Sequence, residues 1–388
     1  MGRTLFTGAA IFDGKGLFPG ALLVEAGKIA GLLDESAQVS GADMVDLPGG
    51  ILAPGFVDLQ VNGGGGIMLN DAPTPDTLAR IAEAHAGLGA LTILPTLITD
   101  TRETTEAAVA AVEAARAKAM PGIAGLHLEG PHLSLARKGA HDPALIRPME
   151  ADDLSFLIGA VRRVERLMVT VAPENVTDAQ ISALAAAGVV VSLGHTDAGY
   201  DRCRAAMLAG ARVATHLHNA MSQLGSREPG LVGAALVAGE LDAGLIADGI
   251  HVHPATIAAA LRAKTGPGDI FLVSDAMAPA GSTIRAFRLN GREIRRSQGS
   301  LTLADGTLAG ADLDLATALQ VLCDDVGVAR DRALAMATRI PARVMGISES
   351  AGELAVGRRA DFVHLSDELR LVGVWRGGDP VGLSPAGI

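Results

Sequence analysis

Phe56-Val57-Asp58-Leu59-Gln60-Val61, then an amphipathic stretch over 75–88, then Leu91-Thr92-Ile93-Leu94-Pro95-Thr96-Leu97: this alternation decides the fold. A short apolar run followed by a helix-length amphipathic stretch reads as one strand–helix unit. The unit recurs, with strand-length runs at 123–128, 167–172, 189–193, 213–217, 244–247 and 270–273. Helical stretches at 102–119, 178–187 and 254–264 separate several of them. Any one apolar run could be buried helix; the count of eight carries the argument. Parallel strands need crossover connections, and those crossovers are right-handed. The expected fold is therefore α/β, a (β/α)8 TIM barrel.

Working outward, the first fifty residues carry short strand signals between Gly-containing turns, as in Ala9-Ala10-Ile11-Phe12 and Lys28-Ile29-Ala30-Gly31. The last forty read the same way, with Asp361-Phe362-Val363-His364-Leu365 and Leu371-Val372-Gly373-Val374-Trp375. Residues 1–54 plus 344–388 are expected to form a small β-sandwich domain from both termini, and 55–343 the barrel domain. A chain of 388 residues suits that division, since a barrel takes about 250.

Hydrophobic residues make up 49% of the chain, aromatics 3%, and there are 48 glycines. That suits close-packed parallel strands and argues against disorder. Lys plus Arg number 32 against 43 Asp plus Glu, a formal charge of −11 with no basic run, which argues against a nucleic-acid partner. Cys203 and Cys323 have no CxxC spacing and read as ordinary thiols of a reducing compartment. Neither a signal pattern nor an apolar run of bilayer length is found, so the expectation is a cytoplasmic protein with no membrane partner.

Barrel enzymes place their chemistry at the carboxyl ends of the strands. Here those ends collect polar groups: Gln60 and Asn62, Glu129, His195, His216, Asp248 with His251, and Asp275. Glu129, His195 and His216 suit a zinc-like site with three protein ligands and one open position. Asp275, closing Leu272-Val273-Ser274-Asp275, suits a general base that takes a proton from water and delivers it to a leaving amine. His218 faces the same side as His216 and reads as pocket lining or packing. His253, before Pro254, reads as surface or capping structure, and Gly63 to Gly66 as a loop that lets backbone pass close to the site.

Several motifs together resemble a known family. Pro54-Gly55-Phe56-Val57-Asp58-Leu59-Gln60 looks like the barrel opening of the amidohydrolase superfamily. Gly125-Leu126-His127-Leu128-Glu129-Gly130-Pro131, Ser192-Leu193-Gly194-His195-Thr196, Thr215-His216-Leu217-His218-Asn219-Ala220-Met221, Arg227-Glu228-Pro229-Gly230, Ala247-Asp248-Gly249-Ile250-His251 and Ser274-Asp275-Ala276-Met277-Ala278-Pro279 resemble its N-acetylglucosamine-6-phosphate deacetylase family. The resemblance implies hydrolysis of an N-acetylated amino-sugar phosphate, with Glu129, His195 and His216 as metal ligands and Asp275 as acid/base. It implies that His141 contacts substrate near the acetyl carbonyl, with Ala140 beside it; from spacing alone His141 reads as a loop residue. Asn219, Ala220, Arg227 and His251 match positions that hold the sugar phosphate, with Asp248 in the same group, and Leu308-Ala309-Gly310 matches a segment over the substrate. A homodimer follows, because part of the phosphate site can come from a neighbouring subunit. Gln60 and Asn62 stand where many amidohydrolases carry His-x-His, which implies one divalent ion per subunit, zinc first and Fe2+, Co2+ or Mn2+ as alternatives. N-acetylgalactosamine 6-phosphate or another N-acyl sugar phosphate is the alternative substrate. A cyclic-amide hydrolase would bring the His-x-His opening, and a silent sugar-phosphate sensor would have lost Asp275 or a ligand; neither fits.

Overall fold

The computed structural model describes residues 2–385. Eight parallel strands follow one another around a sheet in chain order: β1 (Phe56–Val61), β2 (Ala90–Ile98), β3 (Leu126–Glu129), β4 (Leu167–Val171), β5 (Val190–Leu193), β6 (Val213–Ala214), β7 (Asp242–Leu245) and β8 (Ile270–Leu272). The seam between β8 and β1 closes through a parallel bridge of Val61 with Ala276, and the Asn62 N–H donates to the Ala276 carbonyl at 2.8 Å. Every residue of β1 is buried, because one face meets the barrel interior and the other the surrounding helices. Asp58 and Gln60, two apart on β1, both bond to groups across the barrel. The Gln60 side chain accepts from Thr215 Oγ1 at 2.9 Å and donates to Glu129 Oε1 at 3.0 Å. Asp58 accepts from the Ser274 N–H at 3.2 Å, and burial pushes its carboxyl up to about 7.

Helix starts follow their capping chemistry. The helices α1 (Pro75–Ala86), α2 (Arg102–Ala117) and α4 (Asp178–Ala186) each open on a threonine whose hydroxyl accepts a first-turn N–H, and α3 (Ala151–Val164) opens on Glu150 with Asp153 closing a capping box. After α5 (Tyr200–Ala209) and α6 (Gly230–Val237), α7 (Pro254–Ala263) opens on His253, whose Nδ1 accepts the Ala255 N–H. The sixth strand is shorter than its apolar run, because His216 turns into the left-handed region at φ 24°.

Two sheets of four and six strands pack at the termini. Arg3–Thr7, Ala21–Glu25, Lys28–Leu33 and Ala42–Asp46 form one; Ala10–Phe12, Leu17–Pro19, Ile51–Pro54, Phe362–Leu365, Leu371–Arg376 and Asp379–Pro380 form the other. Phe6 of the first lies edge-on to Phe362 and Trp375 of the second, with ring centroids at 5.0 and 5.3 Å.

A further antiparallel sheet, Ala286–Leu289, Arg292–Ser297, Ser300–Thr302 and Leu308–Ala311, interrupts the chain after β8 and is absent from the sequence-based expectation. Its hairpins turn at Asn290-Gly291 and Gln298-Gly299, all four residues at positive φ. Asn-Gly is a strong hairpin signal, so the first turn was there to be read. Leu289, Ile294 and Leu301 pack this sheet onto Met68, Ile98 and Met277 beside the barrel mouth. Among the described residues no helix is long and apolar enough to cross a membrane, and Cys203 and Cys323 are free thiols.

Candidate active site and metal centre

Glu129 is the last residue of β3, and His195 and His216 lie two residues beyond β5 and β6. The loops bend sharply there: His195, His216 and Asp275 take φ of 46°, 24° and 50°. Such values are costly without glycine and cluster at functional sites. Gly194 permits the approach of the β5 and β6 ends, since a Cβ there would sit 2.2 Å from Thr215 Cγ2.

The bends aim three side chains at one point. Glu129 Oε1 lies 3.1 Å from His216 Nε2 and 3.3 Å from His195 Nε2, and the two nitrogens are 3.1 Å apart. All three residues are buried. His195 Nδ1 donates to the Arg137 carbonyl at 2.8 Å, which turns Nε2, the nitrogen left to act as a ligand, toward the carboxylate. That arrangement calls for a positive charge between them, so a divalent cation fits the donor set. A second, overlapping trio is Glu129, His141 and His195, with ligand atoms within 4.8 Å of one another. Its His141 Nε2 stands 3.9 Å from Glu129 Oε2, so the set with His216 is the tighter one. Burial acts to raise the Glu129 carboxyl, but its close contacts with the His195 and His216 rings hold it well below the usual carboxylate range.

Asp275 stands on the same rim, beyond β8. Burial, then the charge of Glu129, push its carboxyl up to about 6, which suits a group that gains and loses a proton near neutrality. Burial drives the His141 ring down to about 3, so it is neutral. Behind the rim, Gly63 to Gly66 run against the segment after Asp275: the Gly66 and Gly65 N–H groups donate to the Ala278 and Ala280 carbonyls at 2.8 and 2.7 Å. A Cβ on Gly63 would lie 2.5 Å from the Ile67 oxygen and 2.9 Å from the Ala278 nitrogen.

A cavity of about 510 Å³ opens over these groups, lined by Glu129, Ala140, His141, His195, His216, Asn219, Ala220, His251, Asp275, Leu308 and Gly310. Asp248 acts behind the wall: its carboxylate takes the His251 Nδ1 proton at 2.6 Å and the His251 N–H at 2.7 Å, fixing the ring. Burial opposes its ionisation, and the His251 bond holds it below the ordinary value. Ala309 is fully buried behind Leu308 and Gly310. Arg227 is exposed and does not line this cavity. His218 is half-buried at φ 76°, and its Nε2 has no hydrogen-bond partner among the described residues.

The strand-end reading overlooked Asn62 as a pocket wall, Arg137, and Thr99, which follows β2 and touches His141. Thr99, the first residue past β2, carried the same strand-end signal as the other rim groups. Arg137 sits mid-loop and carried none.

Comparison with known proteins matches this picture. Residues 51–383 fit the amidohydrolase family model. An N-acetylgalactosamine-6-phosphate deacetylase of Shewanella sp. is 41% identical over 92% of this chain and 91% of its own length. The crystal structure of the Pasteurella multocida N-acetylglucosamine-6-phosphate deacetylase superposes with a TM-score of 0.92 at 32% identity, covering 97% of this chain and 99% of that one. An aspartate-to-alanine mutant of the Mycobacterium smegmatis N-acetyl-D-glucosamine-6-phosphate deacetylase, in complex with N-acetyl-D-glucosamine-6-phosphate, gives 0.90 at 33% identity, covering 98% and 100%. With an eight-stranded barrel, a buried Glu-His-His cluster at its mouth and a family match over most of its length, this chain belongs to the amidohydrolase family.

Proposed function

We propose that this protein hydrolyses the acetamide of N-acetyl-D-glucosamine 6-phosphate, releasing glucosamine 6-phosphate and acetate. One observation carries the reading: the Glu129–His195–His216 cluster, Asp275 and His141 line one cavity that Asn219, Ala220 and His251 also line. Glu129, His195 and His216 would hold one divalent ion, zinc by preference. That ion would supply Lewis acidity, easing the loss of a proton from water near neutral pH. Asp275 accepts a proton as water adds to the acetyl carbon, then returns it to the amine nitrogen as the C–N bond breaks. His141 donates to the carbonyl oxygen as negative charge builds there. Asn219, the Ala220 backbone and His251 bind the phosphate, and Arg227 reaches it from a partner subunit of a homodimer.

The galactosamine epimer is a second reading, favoured by the name of the Shewanella relative. The domain division into 1–54 plus 344–388 and 55–343, and a cytoplasmic location, belong to the same proposal.

Acetate release from both N-acetylhexosamine 6-phosphates, before and after chelation and zinc readdition, tests it. Release from the glucosamine compound that is lost with chelator and regained with zinc is the expected result. Release from the galactosamine compound alone moves the assignment to that epimer, and release from neither, with metal bound, overturns it.

A further inference from the structure

We propose that Thr99 is a positioning residue that holds His141 in the tautomer protonated on Nε2, so that His141 meets the cavity as a hydrogen-bond donor and not as a metal ligand. The identity of its acceptor, the acyl oxygen of substrate, rests on the function proposed above; the tautomer does not.

His141 belongs to a buried trio whose ligand atoms lie within 4.8 Å, so its chemistry is open until the proton is placed. The backbone N–H of Thr99 points at His141 Nδ1 from 3.3 Å. A backbone amide only donates, so Nδ1 must offer its lone pair. The Thr99 hydroxyl lies 2.7 Å from the same nitrogen, with the Glu129 carbonyl at 3.3 Å as its other neighbour. A proton on Nδ1 would set the ring N–H head-on against the Thr99 backbone N–H. The single proton of the neutral ring therefore sits on Nε2, the nitrogen 3.9 Å from Glu129 Oε2. A ligand would need the reverse, a bare Nε2 and a protonated Nδ1.

The surroundings are cut to this contact. Thr99 and His141 are both buried. Gly130 follows the metal-ligand candidate Glu129, and a Cβ on it would fall 2.1 Å from Thr99 Oγ1. Glycine at that position leaves room for the hydroxyl. Thr99 thus links the end of β2 to the loop carrying His141, while its backbone and side chain address one atom.

The test is spectroscopic first. Long-range 1H–15N correlation on the full chain labelled with 15N-histidine, freed of metal, reads each ring's tautomer, with His141 assigned by its loss in His141→Gln. The Nε2–H pattern is expected; an Nδ1–H pattern overturns the proposal. In Thr99→Val, which keeps the backbone donor but loses the hydroxyl, His141 should show mixed tautomers. The kcat of that variant should fall about tenfold, the worth of one hydrogen bond, with KM little changed, and Thr99→Ser should restore both signals. An unaltered tautomer and kcat in folded Thr99→Val, or failed rescue by serine, overturns it. If the valine variant does not fold, the wild-type and serine spectra still decide. An Nε2–H spectrum with no acetate release from either sugar phosphate leaves the positioning role standing and removes only the hydrolase reading.

Discussion

Asn62 Nδ2 donates to Asp275 Oδ1 at 2.7 Å, tying the end of the first barrel strand to the acid beyond the eighth. The bond favours the ionised carboxylate, against the upward push of burial and of Glu129. As a base, Asp275 works only when ionised, so kcat/KM should rise with pH through about 6 and level off above. Asn62→Ala removes a lowering contact and should move that limb to higher pH. Asp275→Asn should bind metal and substrate yet lose roughly 10²–10⁴ in kcat. Normal turnover in that variant would end the general-base role.

Gln60 has both ends of its amide engaged, with Thr215 and with Glu129. Neither it nor Asn62 offers the nitrogen lone pair of an imidazole. Elemental analysis of the purified protein should therefore find one divalent ion per chain, falling well below one in His195→Asn. Two ions per chain would contradict the single-site reading.

Arg227 is exposed. If it serves the phosphate of a partner's substrate, Arg227→Ala should lower kcat/KM about ten- to a hundredfold for phosphorylated substrate, the worth of a hydrogen bond to a charged group. The unphosphorylated sugar should be little affected, and light scattering should report a dimer. Equal losses on both substrates would make Arg227 structural.

His85 is buried against the Gly-rich loop, 2.9 Å from the Gly63 carbonyl, and burial lowers its ring to about 4 from an ordinary 6.5. The folded state thus binds fewer protons than the unfolded state between those values. Its stability is full above about pH 6.5 and declines toward pH 4. The decline from this one ring is on the order of 3 kcal/mol. Melting curves of His85→Gln, which keeps a donor for Gly63, should fall less steeply across that range. Parallel curves for both proteins would refute this.

Much of the barrel was legible because each strand is buried on both faces and so reads as a continuous apolar run. Phe56–Val61 coincides with its run to the residue. Glu129, His195, His216 and Asp275 were legible too, since strand ends are where a barrel exposes polar groups. His141 was not: it sits in a loop after a 3-10 turn, and only folding brings it to Thr99, 42 residues away. The sheet of 286–311 was missed because its strands are rich in charge, as in Arg292-Glu293-Ile294-Arg295-Arg296, where only Ile294 is apolar and the buried face shows no apolar run.

Ile51–Pro54 pairs with Phe362–Leu365, so a strand from early in the chain finds its neighbour more than 300 residues later. On a ribosome, the N-terminal strands emerge long before the partner that completes their sheet. Their apolar faces, Phe6 and Ile11 among them, must wait, while the barrel between can already collapse. The six-stranded sheet thus cannot be completed until synthesis has passed Leu365. For such a topology, chaperone demand should concentrate on the first fifty residues rather than on the barrel that carries the chemistry.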